Sequence, residues 1–316
     1  MKPSWTAGVT RARLLIGRGL GPDLASAVAG TPSLADGLAA LAGSAYGERV
    51  RADQDLAAAQ RGVADTLLWH LRILAGWLPG AGSAMMRALA GWFELANIDA
   101  RLAALVGDGR EPRPFVLGTL ATAWRTAERA RTIEELSDAV AASAWNAQPA
   151  SSPAELALGL RVAWGRRVQD AAPQAREWVE GAGALLVARE LLVARSTART
   201  DQLLRYPGID QRALAADTLA DLRDTLGARA RWALAAVADP SELWRAELGW
   251  WDRVADDAYA LVRGTDDEAV VLGAAALLGV DAQRTARALQ SAAQDAAARL
   301  APSPREILRE GTGGAG

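Results

Sequence analysis

The sequence predicts an all-α protein made of three related helical units. Hydrophobic residues make up 51% of the 316 positions, dominated by Ala and Leu rather than by the β-branched and aromatic residues of strands. No segment alternates with the period of a strand, whereas helix start and stop signals recur along the whole chain. Similar stretches also return at intervals of about 90–100 residues.

In chain order, "GRGLG" (17–21) follows a helix-like segment and lacks an acid at dinucleotide-binding distance, so it carries no cofactor chemistry. A long helix is expected over 48–78, stopped by "LPGAGS" (78–83), and "GWFELANIDARLAAL" (91–105) forms the next, stopped by "GDGREPRP" (107–114). "TIEE" (132–135) is a capping box, and "SPAE" (152–155) and "DPSE" (239–242) repeat the device with Pro at the first helical position. "NAQPASSP" (146–153) and "YPG" (206–208) are further stops around a second long helical stretch at 174–204. The tail "APSPREILREGTGGAG" (301–316) is expected to be flexible.

"SLADGLAALAGSAY" (33–46) superposes without gaps on "TIEELSDAVAASAW" (132–145), Leu34 on Ile133, Ser44 on Ser143 and Tyr46 on Trp145. "WFELANIDARLAAL" is echoed by "WVEGAGALLVAREL" (178–191) and, through Ile98-Asp99-Ala100 against Val280-Asp281-Ala282, by "LLGVDAQRTARAL" (277–289). The units span 1–110, 111–205 and 206–300. The middle one lacks the Asp, and the third lacks a clear copy of the "SAY/SAW" element.

On a helical wheel, Trp92, Leu95, Ile98, Leu102 and Leu105 form an apolar stripe beside the polar Glu94, Asn97 and Arg101. Asp99 falls on the apolar side, where an unpaired carboxylate is costly to bury. Asp281 repeats the puzzle among Leu277, Leu278, Thr285 and Ala288, with Arg284 a turn away as an intrahelical partner. Asp99 and Asp281 are therefore expected to meet Arg side chains at seams between repeats; the alternative is that their helices rotate to let them reach water.

Other chemistry is sparse. Zero Cys and one His (His70) exclude a disulfide framework, a thiolate site and a multi-histidine metal site. The net charge of −2 gives no attraction toward nucleic acid or an anionic bilayer. No signal peptide is recognised at the N-terminus, and "AVVLGAAALLGV" (269–280) is too short to cross a bilayer, so a soluble chain is expected. A Mg²⁺-dependent isoprenoid synthase rests only on "ADDAY" (255–259) and "TDDEA" (265–269); Asp256 and Asp257 lack an acid one turn on, and the second run reads as helix-start acids. Twelve Trp are dispersed as packing elements, clustering only in "GWWDR" (249–253), which suits a core or a docking anchor.

"ARLLIGRGLGPDLASAVAGTPSLADGLAALAGSAYG" (12–47) resembles the N-terminal signature of the central-stalk adaptor family of V-type/A-type ATPases, which joins shaft to rotor ring in both the prokaryotic and the eukaryotic enzymes. The matching residues are Ala12, Arg13, Leu14, Leu15 and Tyr46. Glu94 and Asn97 stand at the family's acidic-x-x-Asn element, and "EAVVLGAAALLGVDAQRTARAL" (268–289) resembles its last helix pair. The chain departs from the family at Asp281-Ala-Gln-Arg284, where a Glu followed by Asn and Arg is usual, and at Gly183, which replaces the Asn of the middle copy. The resemblance implies three helical bundles in a funnel about a pseudo-threefold axis. It implies a non-catalytic rotor adaptor without cofactor, metal or small-molecule substrate, with central-shaft and membrane rotor-ring subunits as partners. Such a protein sits in the cytoplasm, held to the inner face of the membrane through the ring and not inserted in it. Arg11, Arg13 and Arg18 are its candidate shaft or ring contacts, and Glu94, Asn97, Asp99, Asp281 and Arg284 its candidate inter-repeat contacts. The alternatives are a generic helical-repeat scaffold and the synthase.

Overall fold

The computed structural model describes residues 5–107, 112–195 and 200–300, with side chains at 200 and 295–300 left aside. The expected flexible tail at 301–316 lies outside the described residues. The protein is all-helical, with no strand among the described residues.

The first helices are α1 (Trp5–Ile16), α2 (Gly21–Ala29), α3 (Leu34–Ala40), α4 (Leu56–Trp77) and α5 (Gly80–Val106). Next come α6 (Trp124–Ala127), α7 (Ile133–Ala141), α8 (Pro153–Ala171) and α9 (Arg176–Ala188), the last running into a π turn at Arg189–Val193. The short α10 (Thr200–Leu203), α11 (Gln211–Leu214), α12 (Leu219–Thr225) and α13 (Ala228–Arg231) lead to the long α14 (Leu243–Arg263) and α15 (Asp267–Leu300).

Local chemistry explains most boundaries. The hydroxyls of Ser33, Thr132, Ser152 and Thr218 each accept the N–H three residues on, the bond an N-cap makes. In two of the three capping boxes the Glu reaches one residue further back than expected, Glu135 to the Arg131 N–H and Glu155 to that of Ser151, while Glu242 accepts from Arg245. Asp239 caps a single 3₁₀ turn at Pro240–Glu242 that feeds α14. Gly107 ends α5 at φ +85°, a conformation open to glycine without a Cβ penalty. The expected helix over 48–78 begins only at Leu56, where Asp55 caps it by accepting the Ala58 N–H, while Gln54 bonds the Arg51 N–H and the Arg49 carbonyl of the preceding turn. The stretch at 174–204 opens with a 3₁₀ turn and ends its α-helix at Ala188, where the backbone widens into the π turn.

Contacts gather the chain into two compact units, one of Met1–Arg13 with His70–Leu277 and one of Leu14–Trp69 with Leu278–Gly316. In the larger, α5 lies along α8, and Gly91 lets the rings of Trp164 and Trp145 approach, since a Cβ there would stand 3.0 Å from Trp164. The Tyr206 ring is wedged between Gly165 of α8 and Gly183 of α9, at 2.6 and 2.5 Å from where their Cβ atoms would be. α9 also packs on α13 and α14, with Trp232 and Trp250 against Gly181. The smaller unit buries Leu20, Val28, Leu38, Leu41, Tyr46, Val63 and Leu289 in one core, drawn from α2, α3, α4, α15 and the turns beside α2 and α3.

Candidate functional site

Leu95, Ile98 and Leu102 of the apolar stripe expected over 91–105 are buried, but the buried face extends beyond them. Trp92 is 50% exposed, while Glu94 and Asn97, read as a polar stripe, are buried. They can be buried because they are saturated with partners. Glu94 Oε1 accepts the backbone N–H groups of Thr122, Ala123 and Trp124 at 2.8, 2.6 and 2.6 Å, the opening of the α6 turn. Its Oε2 accepts the indole N–H of Trp145 at 3.0 Å. Asn97 clamps Phe115 by both backbone groups, donating to its carbonyl at 3.0 Å and accepting its N–H at 2.6 Å.

Arg167 completes this site. It lies over the Trp145 ring, donates to the Ala144 carbonyl and the Thr122 hydroxyl, and has a pKa lowered by burial against the opposing pull of Glu94. Four N–H groups thus engage this carboxylate, three on Oε1 and one on Oε2. The arrangement is a mechanical joint between α5, α6 and the segment after α7.

Asp281 makes the same joint in the smaller unit. It accepts the N–H of Leu20 at 3.0 Å and of Gly21 at 2.8 Å, at the start of α2, and the Tyr46 hydroxyl at 2.7 Å. Burial, and after it the negative charge of Asp281, pushes the Tyr46 phenol far above its ordinary pKa. The local geometry matches too: Ser44 and Ser143 hydroxyls each donate to the carbonyl three residues back and accept the N–H of the following aromatic residue, Tyr46 or Trp145. Asp281 thus corresponds to Glu94. The expected pairing of Asp281 with an Arg is corrected, since backbone N–H groups and a phenol hold it.

Asp99 is different. Arg161 of α8 donates to its Oδ2 at 2.8 Å, with the Arg161 and Asp99 side chains 35% and 29% exposed, and its Oδ1 is buried without a hydrogen bond. Burial raises the Asp99 pKa, and Arg161 opposes that shift. Its match to Asp281 by sequence does not extend to the bonds it makes.

A third acid, Glu180 of α9, matches Glu94 in sequence but is not among the candidate site residues. Its side chain is 8% exposed and accepts one hydrogen bond, from Arg176 Nε at 2.7 Å. Gly208, at φ +79°, brings backbone against it, and the nearby aromatic, Trp232, donates to the Arg229 carbonyl instead. Beside Glu180 opens a polar cleft of about 470 Å³.

Of the remaining candidates, Arg13 and Arg18 are exposed and Arg11 is half-buried, with its Nε enclosed and unbonded. Arg284 is half-buried on α15. Asp256 is exposed, whereas Asp257 accepts from the Trp178 indole and Arg253, so the two do not converge. Asp266 accepts the N–H groups of Glu268 and Ala269, the role of a helix-start acid. Trp250 and Trp251 meet edge to face at 5.0 Å, and Trp250 donates to the Trp178 carbonyl. Among the described residues no group of three His, Asp or Glu is placed to hold a metal ion. No protein-family model matches the chain, and no curated protein matches it.

Proposed function

We propose that this protein is the non-catalytic rotor adaptor of a V/A-type rotary ATPase. In this reading three helical bundles form a funnel about a pseudo-threefold axis, its socket holding the foot of the central shaft and its base resting on the membrane rotor ring. Nucleotide chemistry and ion translocation belong to other subunits.

The observation that carries the reading is the recurrence of one joint. A carboxylate on a long helix, the opening turn of a short helix, a capped helix and an aromatic donor recur as Glu94, Trp124, Thr132 and Trp145, and as Asp281, Gly21, Ser33 and Tyr46. Glu180, Thr218 and Trp232 repeat it in reduced form. Asp281, on the last long helix, completes the copy whose other parts lie at 20–46. The resemblance of 12–47, 91–105 and 268–289 to the adaptor family supplies the rotary context.

Such a piece transmits torque, and saturated buried joints suit that task because each fixes a helix start to a neighbouring helix at several points. The test is co-expression with the shaft and rotor-ring subunits encoded by the same genome, followed by affinity capture and gel filtration. A stoichiometric complex with the shaft subunit is expected. Failure to associate with either the shaft or the ring overturns the assignment.

A further inference from the structure

We propose that the cleft over Glu180 binds a small zwitterion bearing an ammonium and a carboxylate, the chemistry of free amino acids and dipeptides. Its lining brings together Glu180, Arg176, Asp210, Arg212, Asp224 and Arg229, and its volume of about 470 Å³ falls in the range of small-molecule sites.

The ammonium is directed to Glu180. This carboxylate is nine-tenths buried, Arg176 holds its Oε1 at 2.7 Å, and its Oε2 accepts no hydrogen bond among the described residues. In the two sister joints the chain itself fills that second oxygen, with Trp145 Nε1 on Glu94 and the Tyr46 hydroxyl on Asp281. Trp232 gives its N–H to a carbonyl instead. A carboxylate oxygen with open lone pairs on an otherwise buried side chain takes a charge-assisted bond from a charged donor. Asp224, whose carboxylate makes no bond among the described residues, is a second acceptor on the same lining.

The carboxylate is directed to Arg229, whose guanidinium makes no ion pair or hydrogen bond among the described residues. The other cations are engaged, Arg212 with Asp210, Arg176 with Glu180 and Arg231 with the Leu226 and Asp224 carbonyls. A simple anion would face three carboxylates for one disengaged guanidinium, and a simple amine would leave Arg229 unmatched. A ligand with both charges satisfies both ends. This inference stands apart from the rotary reading and does not depend on it.

Isothermal titration of the full chain with alanyl-alanine tests it, beside N-acetyl-alanyl-alanine, alanyl-alanine amide, methylamine and inorganic phosphate. The free dipeptide binds, and either cap weakens it by about tenfold or more. Glu180→Gln and Arg229→Ala each weaken it by about the same factor, the second at an exposed position where folding is unaffected, checked by circular dichroism. Absence of heat with the free dipeptide at about 10 mM overturns the proposal, as does equal binding of the capped forms or binding unchanged by Arg229→Ala. If Glu180→Gln fails to fold, Arg229→Ala and the capped ligands decide alone.

Discussion

The backbone N–H of Gly21 donates to Oδ1 of Asp281 at 2.8 Å, joining residues 260 positions apart in the chain. Oδ2 of the same carboxylate takes the Leu20 N–H and the Tyr46 hydroxyl. One side chain thus fixes the start of α2, the aromatic after α3 and its own helix α15.

Removing either side of this joint destabilises the fold. Tyr46→Phe deletes one hydrogen bond to a charged acceptor and is expected to cost about 1.5–3 kcal/mol. Asp281→Ala strands two backbone N–H groups and a buried hydroxyl and costs more. Urea unfolding of both variants measures the difference, and the double variant falls short of the sum because the two residues share a bond.

Glu94→Gln is a sharper perturbation than its size suggests. The amide NH₂ must face either three backbone N–H groups or the Trp145 indole N–H, donor against donor, and Arg167 loses its opposing charge. Loss of one partner of a buried charged network costs about 3–5 kcal/mol. Chemical denaturation at neutral pH is expected to show that drop, with Trp145 fluorescence altered in the folded state.

Asp99 gives a pH dependence of definite sign. Burial raises its folded pKa above the ordinary 3.8, so the folded state holds the proton more tightly than the unfolded chain does. Its contribution to stability is full below the unfolded value and is lost as pH rises through the folded one. Asp99→Asn removes this titration. The stability of the wild type minus that of the variant is expected to decline as pH climbs from about 3.8, followed by urea midpoints across that range.

Gly165→Ala and Gly183→Ala each push a Cβ to within 2.6 Å of the Tyr206 ring. Overpacking of this kind costs about 1–3 kcal/mol. Tyr206→Leu, costly alone, is expected to relieve part of the penalty when combined with Gly165→Ala, and thermal melts of the three variants show the coupling.

Caps and breaks are the most legible part of the sequence, because they depend on residues within one turn of each other. Thr132, Ser152 and Asp239 start their helical segments as the motifs require, and Gly107 stops α5. The offset between Ser44-Ala-Tyr46 and Ser143-Ala-Trp145 also points to a real local repeat, down to matching hydroxyl bonds. The acids are harder to read. A wheel assigns polar residues outward, so Glu94 and Asn97 look solvated, and only the donors at 115 and 122–124, supplied by a distant segment, compensate their burial. Asp99 looks like the counterpart of Asp281 because both follow a β-branched residue and precede Ala, a likeness blind to what each carboxylate faces. Glu180 gives a weaker signal, since its helix keeps the acid but replaces the Asn with Gly183 and makes room there for Tyr206.

The joint at Asp281 draws its parts from segments 235 to 261 positions apart, and that sets a schedule for biosynthesis. The segment carrying Leu20, Gly21 and Tyr46 leaves the ribosome well before α15 and cannot close its joint until that helix has been translated, so this unit matures only after α15 emerges. A stop ahead of Asp281 therefore damages α2 and α3 as surely as it removes α15.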